Sequence, residues 1–148
     1  MREGNDLTVV DVDAENLADL QDRFDLRTVC GQASHPAILS QAGADDADML
    51  VAVTLNDETN MVACKLAGTL FNIPTKIARI RSTDYMKHPM LFDAQHFGVD
   101  HVIAPEQEIT DFLRRLIDSI PTRVAVLDDA MGILQANRAW RTPAKMAG

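Results

Sequence analysis

A carboxylate that closes a β-strand in a parallel sheet can accept hydrogen bonds from the two hydroxyls of a ribose. Asp11 closes such a run in LTVVDVD, residues 7–13. The same carboxylate would repel a 2′-phosphate, so an intact pocket would favour NAD(H) over NADP(H). The strand by itself equally allows an acid that caps the following helix, a task open to Asp13 as well.

Two further stretches carry polar groups where a sheet is normally apolar. In TKIARIRS, residues 75–82, Arg79 and Arg81 are two apart and therefore fall on one face of a strand. Buried cations need partners, because an unpaired buried charge is costly. A phosphate would serve, as would a carboxylate such as Asp57 or Glu58. Water at the strand end is the plain alternative. In VTLNDETN, residues 53–60, an apolar strand meets a helix start. Thr54, Asn56 and the open N–H groups of that helix would line the crevice at the carboxyl ends of the strands, where ligands bind in open α/β sheets. Ordinary capping by Asn56 or Asp57 explains the same residues.

Other chemistry finds no support. The seven glycines are nowhere separated by a single residue, so there is neither a G-x-G turn nor a P-loop to hold a pyrophosphate on backbone N–H groups. His35, His88, His96 and His101 form no i, i+4 pair and have no cysteine pair nearby, so no metal set is expected. No Ser/His/Asp or Cys/His order stands out, and no catalytic residue is assigned. Cys30 and Cys64 lack metal-like spacing and read as buried free thiols of a reducing compartment.

These residues need a scaffold, and the apolar pattern supplies one. LTVVDV reads as a strand, then AENLADLQDRF as a helix with Leu17, Leu20 and Phe24 on one face and Asp13 as N-cap. LRTVCG is the next strand. Ser34 is expected to cap a short helix with Pro36 in its first turn, Ile38, Leu39 and Ala42 inward, and Gly43 at its end. ADMLVAVT is a nearly continuous apolar strand, as in a parallel sheet covered on both faces. A helix from about Asp57 to Phe71 follows, with Thr59, Val62, Ala63, Leu66, Ala67 and Leu70 at helical spacing. TKIARIRS is a strand, HPMLFDAQHFG a helix closed by Gly98, and DHVIAP a strand. A helix from Pro105 to about Ser119 carries Ile109, Phe112, Leu113, Leu116 and Ile117. This alternation predicts an α/β fold: a three-layer, Rossmann-like, mostly parallel sheet. After Pro121 the pattern changes to two short strands around a turn at Gly132. The expected organisation is a nucleotide-binding domain over 1–120, then a linker and the start of a second module, or a frayed tail, over 121–148.

The chain has 148 residues, 47% of them apolar, and a formal net charge of −8. That charge disfavours nucleic acid as a partner, since phosphate backbones need a basic face. No apolar run approaches the roughly 18 residues of a membrane span. No secretory signal pattern is present either. The chain reads as intracellular.

The run from Asp6 to Thr54, with DETNMVAC, IARIRSTDY and DHVIAPEQ, resembles the N-terminal regulatory domain of Trk-type potassium uptake proteins, the TrkA-N class also termed RCK or KTN. The resemblance reaches from Asp6 to about Ile117. It implies a Rossmann fold that binds nucleotide without catalysis, NAD(H) or alternatively ATP/ADP. It also implies a homo-oligomeric cytoplasmic ring on the inner face of the cell membrane, attached to a membrane potassium transporter subunit. By position, Asp11 resembles the ribose-binding acid of the family's second strand. Thr54 and Leu55 resemble the cofactor-contacting pair after its fourth, and Arg79 the arginine of its fifth. Gln32 and Ala33 match the turn near the adenine. The family's opening strand and glycine turn are not matched, so the expectation is an N-terminally truncated version with weak or absent nucleotide affinity. In the family's 3-2-1-4-5-6 order that strand is central. Its loss should expose two sheet edges or force the neighbouring strands together. The tail VLDDAMGILQANRAW also resembles the opening hairpin of a PAS sensor domain. Two other functions fit the residues: a fragment of an NAD-dependent oxidoreductase, or an oligomerisation remnant that no longer binds nucleotide.

Overall fold

The computed structural model describes residues 6–24, 26–103 and 123–127. Apolar LTVV forms the core of β1 (Asp6–Asp11), and Asp13 marks where the strand gives way to α1 (Ala14–Arg23). The Asp13 carboxylate accepts from the N–H groups of Glu15 at 2.9 Å and Asn16 at 3.4 Å, satisfying donors that the first helical turn leaves open. Leu17 and Leu20 are buried on the inner face of α1, with Phe24 just past its end.

β2 (Arg27–Cys30) leads to α2 (Pro36–Gln41). His35, not Ser34, is the cap residue of α2, and its side chain makes no capping bond. Pro36 starts the helix by its fixed φ instead, at a position that needs no N–H. Gly43 closes this turn at φ 89°, a left-handed conformation that only glycine takes freely.

β3 (Met49–Ala52) is buried along its whole length, as is the end of β4 (Thr75–Arg79). Between them runs α3 (Asp57–Leu70), capped by Asn56, whose side chain accepts from Thr59 N–H at 2.7 Å. Its inner face is Asn60, Met61, Ala63, Cys64 and Ala67. The expected stripe is thus rotated: Val62 and Leu70 are exposed, while Ala63 and Ala67 let the helix approach the sheet closely. Cys64, fully buried there, points its thiol at the Ile77 carbonyl at 3.9 Å, and desolvation pushes its pKa up to about 12. An ordinary thiol of pKa 9.0 in the unfolded chain would ionise first, so folding stability should fall as pH rises from 9.0 towards about 12. A thiol reagent should modify Cys30, which is exposed contrary to expectation, and reach Cys64 only on unfolding. Mass mapping of the labelled cysteines before and after denaturation checks both statements.

The segment from His88 to Gly98 is not one helix. A short α4 (Thr83–Met86), capped by Ser82, comes first, followed by a 3₁₀ turn over Pro89–Phe92. Bonds of three-residue reach, such as Leu91 N–H to His88 C=O at 3.0 Å, replace an α-helical ladder. β5 (His101–Ile103) then forms the far edge of the sheet.

All described strand pairs are parallel, and the order is β2-β1-β6-β3-β4-β5, where β6 is Arg123–Leu127. Neither expected outcome for the sheet centre occurs. β6 lies between β1 and β3, pairing Asp6–Val10 with Arg123–Leu127 on one side and Met49–Ala52 with Val124–Leu127 on the other. Backbone groups of both neighbours are thereby satisfied, which open edges would have prevented. The expected helix from Pro105 to Ser119 and the turn at Gly132 lie outside the described residues.

Candidate functional site: the carboxyl edge of the sheet

Chain direction along the sheet reverses at its centre. β1 is followed by β2 on one side, whereas β3 is followed by β4 and β5 on the other. The carboxyl ends of β1 and β3 therefore flank a switch point, where departing loops diverge and leave a crevice. Every residue singled out for ligand contact sits on this edge. Asp11 ends β1, and Gln32 and Ala33 follow β2 beside it. Thr54 and Leu55 follow β3, and Arg79 ends β4.

Asp11 is buried, 7% exposed. Its Oδ1 accepts from Asp13 N–H at 3.0 Å and its Oδ2 from the Asn16 side chain at 3.3 Å. Because Asp13 performs the helix capping, Asp11 is not needed for it. Each Asp11 oxygen has one donor and keeps further lone-pair capacity. Gly31 N–H donates to the Asp11 carbonyl at 2.9 Å, bringing the turn after β2 against the end of β1. A Cβ on Gly31 would collide with the Ile38 side chain, so the turn passes close over α2. Ala33 is buried at this turn, whereas Gln32 is exposed.

On the other side, Leu55 is 68% exposed and Thr54 is half-buried. The Arg79 guanidinium is turned inward: Nη2 donates to the carbonyls of Val53 at 2.6 Å and Thr54 at 3.3 Å. Arg81 is not part of the strand. It lies beyond β4, exposed, and its backbone N–H donates to Asp57 Oδ1 at 3.0 Å. The Asp57 carboxylate also accepts from Ser82 N–H at 2.8 Å, so it ties the start of α3 to the loop after β4 without pairing either arginine side chain. At the rim, the Tyr85 hydroxyl donates to Glu58 Oε2 at 2.6 Å. That bond holds the Glu58 carboxyl below its usual range and raises the Tyr85 phenol.

Asn60 was not singled out by its sequence context, yet it is wholly buried at the centre of this edge. Its Oδ1 accepts from the N–H and the Oγ1 of Thr54 at 2.9 and 2.6 Å. Its Nδ2 donates to the carbonyls of Thr54 at 3.2 Å and Arg79 at 2.8 Å. The available signal was an amide at the position one turn before Ala63 and Cys64 and two before Ala67, on a face otherwise apolar. Among the described residues no three histidine, cysteine, aspartate or glutamate side chains come together to hold a metal ion.

A wholly parallel sheet among its described strands, a switch point at its centre and a buried acid closing the strand beside it define a Rossmann-type α/β domain. Residues 1–105 match the TrkA-N domain, and the chain belongs to the TrkA-N domain family. It is 52% identical over 134 residues to the Trk system potassium uptake protein TrkA of Halomonas elongata, covering 90% of this chain and 29% of that protein. To TrkA of Vibrio alginolyticus it is 56% identical over 116 residues, 78% of this chain and 25% of that one. The chain thus spans under a third of the length of these relatives. The crystal structure of the TrkA-N domain of inner membrane protein ybaL from Escherichia coli superposes with a TM-score of 0.58 at 17% identity, covering 78% of this chain and 98% of that one. This last likeness supports the fold alone.

Proposed function

We propose that this chain is the nucleotide-sensing part of a regulatory subunit for a Trk-type potassium uptake system, binding NAD(H) or ATP/ADP without transforming it. The observation that carries the reading is Asp11. It is a buried carboxylate at the end of the strand flanking the switch point, relieved of helix capping by Asp13 and holding spare acceptor capacity. In this reading Asp11 accepts from the ribose hydroxyls. Gln32 and Ala33 border the adenine, Thr54 and Leu55 contact the cofactor from the β3 side, and Arg79 completes the edge. No helix of the described residues is long and apolar enough to cross a membrane. The proposed place is the cytoplasmic face, in a homo-oligomeric ring on a membrane potassium transporter subunit. Its relatives' names support the partner. Nucleotide acts there through differential affinity for the ring's conformations, since equal affinity would shift nothing.

Titration calorimetry with NADH, NADPH, ATP and ADP tests the reading. NADH should bind more tightly than NADPH, and Asp11→Asn should weaken NADH by about tenfold, the worth of a charge-assisted hydrogen bond. It should also relax the discrimination against the 2′-phosphate. Tighter binding of NADPH than NADH, or no nucleotide binding at all, would overturn the assignment and leave the oligomerisation role.

A further inference from the structure

The carboxyl ends of β3 and β4 are joined from α3 by the side chain of Asn60, beside the direct bonds of Arg79. The Asn60 carboxamide has two acceptor lone pairs and two N–H donors, and all four are engaged. The orientation of the amide is dictated by chemistry. Thr54 N–H can only donate and the Thr54 and Arg79 carbonyls can only accept, so Oδ1 must face the first and Nδ2 the other two. Because Oδ1 cannot donate, the proton of the 2.6 Å contact belongs to the Thr54 hydroxyl. The Thr54 hydroxyl is therefore engaged within the protein: its proton is turned to Asn60 Oδ1, with the Asn56 carbonyl at 3.1 Å as its other acceptor, and its oxygen accepts from Asn56 N–H at 3.2 Å. The Arg79 guanidinium closes the ring by donating back to the Thr54 carbonyl that Asn60 also holds.

We infer that Asn60 is a positioning residue that makes Thr54 and Arg79 one rigid ligand-contacting unit. This rests on the nucleotide reading of those two residues. Asn60 itself has no exposed surface and cannot touch a ligand in the crevice. Its effect on binding must run through the Thr54 backbone and hydroxyl and the Arg79 carbonyl. It follows that Thr54 meets a ligand as an acceptor or through its methyl group, never as a hydroxyl donor to phosphate.

The test compares the full chain with Asn60→Asp, Asn60→Leu and, as a control, Ile73→Val. Ile73 is equally buried but precedes β4, at the opposite edge of the sheet. Asn60→Asp keeps the acceptor for Thr54 but sets a carboxylate oxygen against two carbonyls. NADH affinity should fall about tenfold or more in both Asn60 variants, measured where each is fully folded, and stay unchanged in Ile73→Val. A second readout needs no ligand. Amide exchange at Thr54 should accelerate at least about tenfold in Asn60→Leu relative to its change in Ile73→Val. Unchanged Thr54 exchange would overturn the inference, whatever nucleotide does. Accelerated exchange with no NADH binding by the unaltered chain would instead sink the nucleotide reading and leave Asn60 as the joint between the two strands. Accelerated exchange with NADH affinity unaltered in both variants would deny it any positioning role.

Discussion

Ala125→Pro is expected to abolish cooperative folding. Ala125 is the middle residue of β6 and pairs with Thr8 of β1 on one side and Leu50 of β3 on the other. Those two strands are not neighbours, so β6 carries the hydrogen bonding between the β2-β1 half of the sheet and the β3-β4-β5 half. Proline removes one N–H from an interior ladder and its ring crowds the adjacent strand, which is why it is confined to edges and bulges. By analogy with its cost inside a helix, the direct penalty is about 3 kcal/mol. Separation of the halves adds to it, against a total stability of about 5–15 kcal/mol for an ordinary domain. Urea melts followed by circular dichroism should show a broad, early, multiphasic transition. A sharp transition at the midpoint of the unaltered chain would mean that β6 does not bridge the two halves.

Arg79→Leu should have the next largest effect. Arg79 is 6% exposed, and its guanidinium serves the carbonyls at the end of β3. Its removal leaves buried acceptors without their charged donor, at about 1.5–3 kcal/mol per such bond. A loss of about 3 kcal/mol is expected, together with the loss of measurable NADH affinity. Arg79→Lys should rescue in part, since the single nitrogen Nη2 makes both bonds and an ammonium also has the donors for them, though on a shorter side chain. Denaturation midpoints and NADH titrations of the two variants provide the check. Stability and binding equal to the unaltered chain in Arg79→Leu would remove Arg79 from both roles.

The two effects differ in how visible they were beforehand. Arg79 was conspicuous, as a cation in a strand that is otherwise apolar at its centre. What it does was not: sharing a strand face with Arg81 was the natural inference from period-two alternation. The strand ends at Arg79, however, and Arg81 lies past it. Asn60 was hidden for the opposite reason. A polar residue on a helix reads as solvent-facing, and only contact with Thr54 and Arg79, nineteen residues downstream, reveals it as buried.

Local order was legible because it rests on near neighbours. Asp13 and Asn56 cap their helices, Gly43 turns the chain after α2, and the apolar run at β3 marks a strand covered on both faces. Asp11 closes its strand as its position in LTVVDVD required. Each follows from side chains that bond or pack within a few residues, so composition and spacing are enough. Where remote segments meet was decided only by the folded chain. Nothing in RVAVL distinguishes a central strand from an edge or a separate hairpin, because any extended segment offers the same backbone donors and acceptors. Its place between β1 and β3 is set by which neighbours leave those groups unsatisfied, and that condition exists only once the rest of the sheet has assembled.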